Sequence, residues 1–234
     1  MKITVLLSCV ALILSCGGNS ENAEVRENLD PVAQPDTTAE SIPEEETVSR
    51  SFSTVEDYSQ IISKEDLIRE FGAENLVHGE SWYAEGTVRF DHSLLTNPEN
   101  GHVVKYLWNE DGNTLSSLEV SYTIYDEYYE VLGTQVIHSE TGIHTGMALQ
   151  DLKEWNGEDF DFFGFGWDYS GAIIAEEGTR IAESPFQIDL AMHQEMDSEE
   201  QLELMGDHEL NTSDEIVQGV PIVVERLTFY PSEK

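Results

Sequence analysis

The sequence predicts an α+β fold: two units, each a short helix followed by antiparallel strands, packed as one compact domain. Three observations carry this expectation. The run "SKEDLIREFG" has an apolar stripe at helical spacing and ends in glycine. The later run "ALQDLKEWNG" matches it in aspartate, leucine and glycine at the same spacing. Each is followed by segments rich in β-branched and aromatic residues, separated by turn-forming residues.

The chain opens with Lys2 and a nearly continuous apolar run from Ile3 to Ser15. That run is shorter than the roughly 20 residues a bilayer span needs, and it fits the hydrophobic region of a signal peptide over 1–15. It ends in "ILSCGG", which resembles the bacterial lipobox. By that resemblance Cys16 is lipidated and becomes the mature N-terminus. The earlier "LLSC" ending at Cys9 leaves too short an apolar region. The alternative is a secretory signal cut elsewhere, with Cys16 incidental. Each buried methylene of an acyl chain adds about 0.8 kcal/mol, so a multiply acylated cysteine holds firmly. The expected location is the bacterial cell envelope, on the periplasm-facing or the surface leaflet of the outer membrane. Residues 16–56 read as an acidic, disordered tether rich in Ser, Thr, Pro, Glu and Asn. Forty flexible residues span about 35 Å root-mean-square. Both cysteines, Cys9 and Cys16, lie in the leader. The mature fold therefore has no internal disulfide, no thiol nucleophile and no cysteine zinc site.

Residues 57–234 read as the α+β domain, with tandem units of about 57–138 and 139–234. In the first helix Ser63 and Asp66 form a capping box, Leu67, Ile68 and Phe71 supply the apolar stripe, and Gly72 ends it. In the second helix Gly157 takes the place of Gly72, and Ala148 stands where Ser63 caps the first. Strands are expected at Tyr83–Phe90, Val103–Trp108 and Leu115–Tyr125, with an Asp-Gly turn in Asn109–Asn113. After the second helix they are expected at Phe160–Trp167, Ala172–Ala175, Phe186–Met192 and Pro221–Tyr230, the last with its proline at the strand start. The acidic stretch Glu195–Glu215 reads as a long surface loop, with one helical turn as the alternative within it.

Forty-seven acids against 11 Lys and Arg give a net charge of −36. That field repels phosphate backbones and excludes nucleic acid as a partner. The stretch "FFGFGWDYSG", Phe162–Gly171, has neither dinucleotide nor P-loop spacing, and Ser170 lacks a nucleophile elbow. Read at period two, Phe163, Phe165, Trp167 and Tyr169 share one strand face, with a β-bulge near Phe162–Phe163. Asp168 and Gly171 suit the ends of a type I turn. On this reading the aromatics are core, and the competing reading is an exposed aromatic platform. Trp167, Asp168 and Tyr169 are the candidate binding surface. Trp82, Trp108 and Trp155 read as core or helix–sheet contacts. The seven histidines form no His-Glu-x-x-His motif. "MHQEM" and "GDHE" suit a solvated acidic loop better than a metal site, and no cofactor, metal or catalytic residue is expected.

"FGAENL", "VVKYLW", "TGIHTGMALQDLKEWNG" and "FFGFGWDYSG", in that order, resemble a family of uncharacterised bacterial, Bacteroidota-type secreted proteins and lipoproteins. That family ends in a Gly-Phe-x-Trp-Asp-Tyr-x-Gly motif, and the resemblance covers residues 63 to about 230. It implies no activity. The start of the second helix, at Gly146, is similar more weakly to small lipoproteins of the barrel-assembly machinery and to β-lactamase-inhibitory proteins. These are binding modules with helices on a small sheet. Such proteins carry Ser or Thr where this chain has Ala148. The resulting expectation is a lipid-anchored extracytoplasmic binding module without catalysis. Its partners would be the membrane, through the anchor, and an envelope protein or glycan. The alternatives are a carboxylate-based glycan hydrolase, using acids such as Asp159 and Asp161, and a calcium-dependent adhesin.

Overall fold

A computed structural model describes residues 50–126, 128–167, 169–193 and 200–231. The segment expected to be a signal peptide, Cys16 and most of the expected tether lie outside the described residues, as do Glu127, Asp168 and residues 194–199. The elements in chain order are α1 (Val55–Ser59), α2 (Lys64–Phe71), β1 (Leu76–Tyr83), β2 (Val88–Thr96), β3 (Val103–Trp108), β4 (Leu115–Ser121), β5 (Thr123–Tyr125) and β6 (Val131–Thr134). There follow α3 (Leu149–Asn156), β7 (Asp161–Phe163), β8 (Ile173–Ile174), α4 (Arg180–Glu183), β9 (Phe186–Met192), β10 (Glu209–Asn211), α5 (Glu215–Gln218) and β11 (Ile222–Phe229). Short helices on mostly antiparallel sheet make this an α+β domain, and a strand-rich one.

The main sheet has the order β1-β2-β3-β4-β11-β9, so strands that follow α2 and strands that follow α3 join in one six-stranded sheet. β4 borders β11 only along Arg226–Phe229. Along the first half of β11 its place is taken by Gly146–Ala148, through Gly146 N–H to Val224 O (2.7 Å) and Val224 N–H to Met147 O (2.9 Å). One sheet face carries Tyr106, Trp108, Leu118, Val120, Ile188 and Leu227. These are buried in one cluster with Tyr58 of α1, Leu67 and Phe71 of α2 and Leu152 of α3. The Tyr106 hydroxyl donates to Tyr58 O (3.1 Å), tying sheet to helix.

Both expected helices form where the local signals place them. Ser63 caps α2 by accepting from Asp66 N–H (3.1 Å). The Asp66 carboxylate does not reach back to the backbone; it accepts from the Ser63 hydroxyl (2.7 Å) and from Arg69. Gly157 closes α3 at φ 91, and Ala148 begins it without a side-chain cap. The fold starts earlier than residue 57. Thr54 and Asp57 make a full capping box for α1, and Phe52 and Val55 are buried. Apolar contact with the sheet thus claims the last residues assigned to the tether.

Val103–Trp108 and Phe186–Met192 are strands as expected. The Asn109–Asn113 turn joins β3 to β4 with Gly112 at φ 69, and Asp111 accepts from Asn113 N–H and Thr114 N–H. Tyr83–Phe90 is not one strand but the bend of the β1–β2 hairpin. Glu85 and Gly86 have φ 54 and 78, and Thr87 N–H donates to Ala84 O (3.0 Å). Ala84, at φ 49, is left-handed as well, so the four residues between Tyr83 and Val88 make the reversal. Leu115–Tyr125 is divided between β4 and β5, and Phe160–Trp167 shortens to β7.

Candidate binding surface

The stretch Phe162–Gly171 does not keep the alternation its sequence shows. Phe162 and Phe165 are buried and Phe163 is half-buried. Trp167 and Tyr169 are 63% and 61% exposed. β7 pairs regularly with β8 and β10, with no register shift, so the bulge expected at Phe162–Phe163 is absent. The strand ends instead at Gly164. A Cβ there would lie 2.5 Å from Gly206 O and 2.8 Å from Leu204 O. Gly166, at φ 88, then turns the chain out of the sheet. Phe165 N–H donates to Leu204 O and Gly206 N–H to Phe165 O, clamping this backbone to the 204–206 segment. The core reading therefore fits Phe162 and Phe165 and fails for Trp167 and Tyr169.

The loop that displays the two rings is held at both ends. Ser170 N–H donates to Trp167 O (3.0 Å) and Ala172 N–H to Tyr169 O (2.8 Å). The Ser170 hydroxyl accepts from Gly166 N–H (3.0 Å). Gly171 packs directly on β9, donating to Phe163 O (3.2 Å) while its carbonyl accepts from Leu190 N–H (2.9 Å). Tyr169 lies 5.3 Å, centre to centre, from the Phe163 ring. Two large aromatic surfaces thus stand in water next to hydrogen-bonded backbone at Ser170 and Ala172. That arrangement can stack on a flat apolar or sugar surface at little ordering cost. Asp168, the third residue of the candidate surface, lies between them and outside the described residues.

The second sheet face carries a polar cluster that sequence patterning does not reveal. β1 and β4 stand three strand spacings apart, about 14 Å in a flat sheet. Yet the Tyr83 hydroxyl donates to Glu119 Oε1 at 2.9 Å. The β1–β2 hairpin therefore folds over this face. Beneath it Glu119 pairs with Lys105 (3.3 Å), and Asp189 pairs with Arg226 (2.6 Å) while accepting from Gln187 (3.0 Å). Burial, reinforced by Glu119, pushes the Tyr83 phenol well above its ordinary range, so it stays protonated. Burial opposes the Arg226 charge, but Asp189 and Glu119 outweigh it and hold the guanidinium protonated. Every charge here has a partner of opposite sign, which makes the cluster a clamp for the hairpin.

The other candidates resolve individually. Asp159 accepts from Lys153 (2.5 Å) and Thr212 (2.7 Å), and these hydrogen bonds hold its carboxyl below the ordinary range. Asp161 accepts from Asn211. Asp159, kept ionised by its two hydrogen bonds, is unsuited to protonating a leaving group. Trp108 is core, and Trp155 is half-buried under the Arg180 guanidinium at 4.3 Å. Trp82 stands exposed instead of packing between helix and sheet. His208 bonds Glu203 O (2.8 Å), and His138 stands 4.7 Å from His144, ring to ring. Among the described residues no three His, Cys, Asp or Glu side chains converge as a metal site. No described helix is long and apolar enough to cross a membrane. Comparison with protein families, with curated proteins and with solved structures finds no match to this chain.

Proposed function

We propose that this chain is a lipid-anchored extracytoplasmic binding module, attached through Cys16 and acting without catalysis. The reading rests on the lipobox-like "ILSCGG", the long acidic tether and the resemblance of the motif-bearing segments to secreted proteins and lipoproteins. The observation that carries the binding role is the exposure of Trp167 and Tyr169 on a loop locked by Gly164, Gly166 and Gly171. Tryptophan and tyrosine are the side chains most enriched at the anchor positions of binding surfaces. The partner is an envelope protein or glycan that meets the two rings.

The test is affinity capture from envelope extracts with the wild-type chain and with the Trp167→Ala/Tyr169→Ala double variant. Retention of a partner by the first and its loss by the second is the expected result. The Cys16→Ala variant should move the chain from the membrane to the soluble fraction. No retained partner, together with robust turnover in a hydrolase panel, would overturn the proposal.

A further inference from the structure

We propose that the β5–β6 hairpin is a docking finger: its Tyr128–Tyr129 tip inserts into an apolar pocket with a basic rim on another folded protein. This surface is separate from Trp167 and Tyr169, and the inference stands whether or not those two rings bind.

The tip concentrates apolar exposure. Tyr125, Tyr128, Tyr129, Val131 and Leu132 are all exposed large side chains within eight residues, Tyr128 at 75% and Tyr129 at 86%. Tyrosine offers much contact area for two side-chain torsions, which is why it dominates protein-binding hot spots and antibody loops.

The display is strained and purposely braced. Tyr129 has φ 63, a left-handed conformation that a bulky residue adopts only under strain. The Asp126 carboxylate holds it there, accepting from Tyr128 N–H (2.8 Å) and Glu130 N–H (2.9 Å). Tyr129 N–H donates to Asp126 O (3.1 Å) and Asp126 N–H to Glu130 O (3.0 Å). These bonds hold the backbone of Tyr128, Tyr129 and Glu130 against Asp126, and both tyrosine side chains are exposed.

The root is built as firmly as the tip is bare. β5 and β6 form their own two-stranded sheet, a unit only marginally stable by itself. Gln135 ties it to the main sheet, accepting from Val103 N–H (2.8 Å) and donating to Val103 O (2.8 Å) and Ser121 O (2.9 Å). Glu225 accepts from Thr123 N–H and from its hydroxyl, and it also bonds His193. The Tyr122 ring fills the space where Gly146 lacks a Cβ, which would lie 2.5 Å away. A rigid base beneath unpartnered rings lowers the ordering cost of association.

Charge selects the occupant. Asp126 and Glu130 flank the rings, and the sequence from 106 to 152 contains no Lys or Arg. A basic rim complements this tip. Bilayer phosphates and a second copy at net −36 are both repelled by it.

The experiment places a photo-crosslinking phenylalanine analogue at position 129 of the full chain in its native cells. The control position is 85, on the β1–β2 turn. The expected result is a position-129 adduct with one protein, through a peptide whose apolar residues are bordered by Lys or Arg. That protein, purified, should bind the full chain about tenfold more weakly, or worse, after Tyr128→Ala/Tyr129→Ala, and more weakly after Glu130→Lys. Tyr129→Gly keeps the tests apart from misfolding: it should raise Tm by relieving φ 63 while still weakening binding. The proposal is overturned by no adduct above the control, by an adduct with lipid or with a second copy, or by an affinity that the tyrosine variants leave unchanged.

Discussion

Gly171→Ala should be among the most damaging single-methyl additions in this protein, for a reason that backbone conformation alone does not supply. A Cβ at Gly171 would lie 1.9 Å from the Leu190 carbonyl oxygen and 2.7 Å from its carbon. Reaching the ~3.5 Å at which such atoms attract requires the turn and β9 to separate by about 1.5 Å. That movement breaks the bond from Leu190 N–H to Gly171 O (2.9 Å) and the bridge between Ala172 and Asp189. Leu190 is buried, so losing its partner costs about 1–3 kcal/mol. The φ of 69 adds about 1–2 kcal/mol for any residue with a Cβ. Alanine's smaller unfolded-state entropy returns about 0.4–1 kcal/mol. The net loss is about 1–4.5 kcal/mol, or roughly 2–18 °C in Tm for a domain of this size. Gly157→Ala is the matched control. It shares a positive φ of 91 but meets no heavy atom within 4 Å, so it lacks the hydrogen-bond loss and should lose only about 0–1.5 kcal/mol. Parallel thermal melts by circular dichroism decide the matter, with hydrogen exchange at the Leu190 amide as a local readout. Equal Tm losses for the two variants would refute the close-approach argument.

Three further outcomes are expected. Ala148→Ser supplies the missing cap of α3 at an exposed position with φ −65 and ψ 148. It should add about 0.5–2 kcal/mol, seen as a Tm rise of several degrees, and no rise counts against this cap geometry. Tyr83→Phe removes the hydroxyl donated to buried Glu119. It should cost about 1–2 kcal/mol and speed exchange in β1 and β2, whereas unchanged protection there would deny the clamp. Burial lowers the pKa of His78, His92 and His102 below the ordinary 6.5. The unfolded chain then binds more protons than the folded one as pH falls from about 6.5 toward the lowered values. Stability is full above that window and is lost on acidification through it. Glu56 has the opposite sign: burial raises its pKa from 4.5, so its contribution favours the folded state as pH falls toward the raised value. Tm should fall between pH 7.5 and 5.5, and fall less for His102→Gln; a Tm that rises over this range contradicts the assignment.

The features legible in the sequence are those whose physics is local. Ser63 as a cap, Gly72 and Gly157 as stops, and Asp111 and Gly112 in a turn all act within a few residues of where they stand. The start of the fold at Thr54 was partly legible too, since "STVED" carries a cap with its acid three residues on, but the burial of Phe52 needs a sheet to pack against. The hairpin bend at Ala84–Thr87 hid because Ala84 and Glu85 adopt positive φ, which their side chains do not announce. Trp82, an aromatic in a strand, gave no sign that its strand would lie at the sheet edge with this side chain in water.

The candidate surface divides along the same line. Composition and local pattern alone determined that no cysteine follows Cys16, that the chain carries a net charge of −36, and that helices stand at two glycine-terminated runs. It also marked Phe162–Gly171 as unusual. Which of those aromatics meets water was decided only by the tertiary structure. Gly164 and Gly166 leave the strand because the carbonyls of Leu204 and Gly206 and the side chain of Met205 lie against them, some forty residues away in sequence. Period-two alternation describes a strand that continues, and a contact so distant along the chain is what ends this one. The polar clamp under the β1–β2 hairpin and the bare tyrosines of β5–β6 have the same origin. Each depends on how far a strand pair curls or projects from the sheet, and that is set by the partners it meets in space.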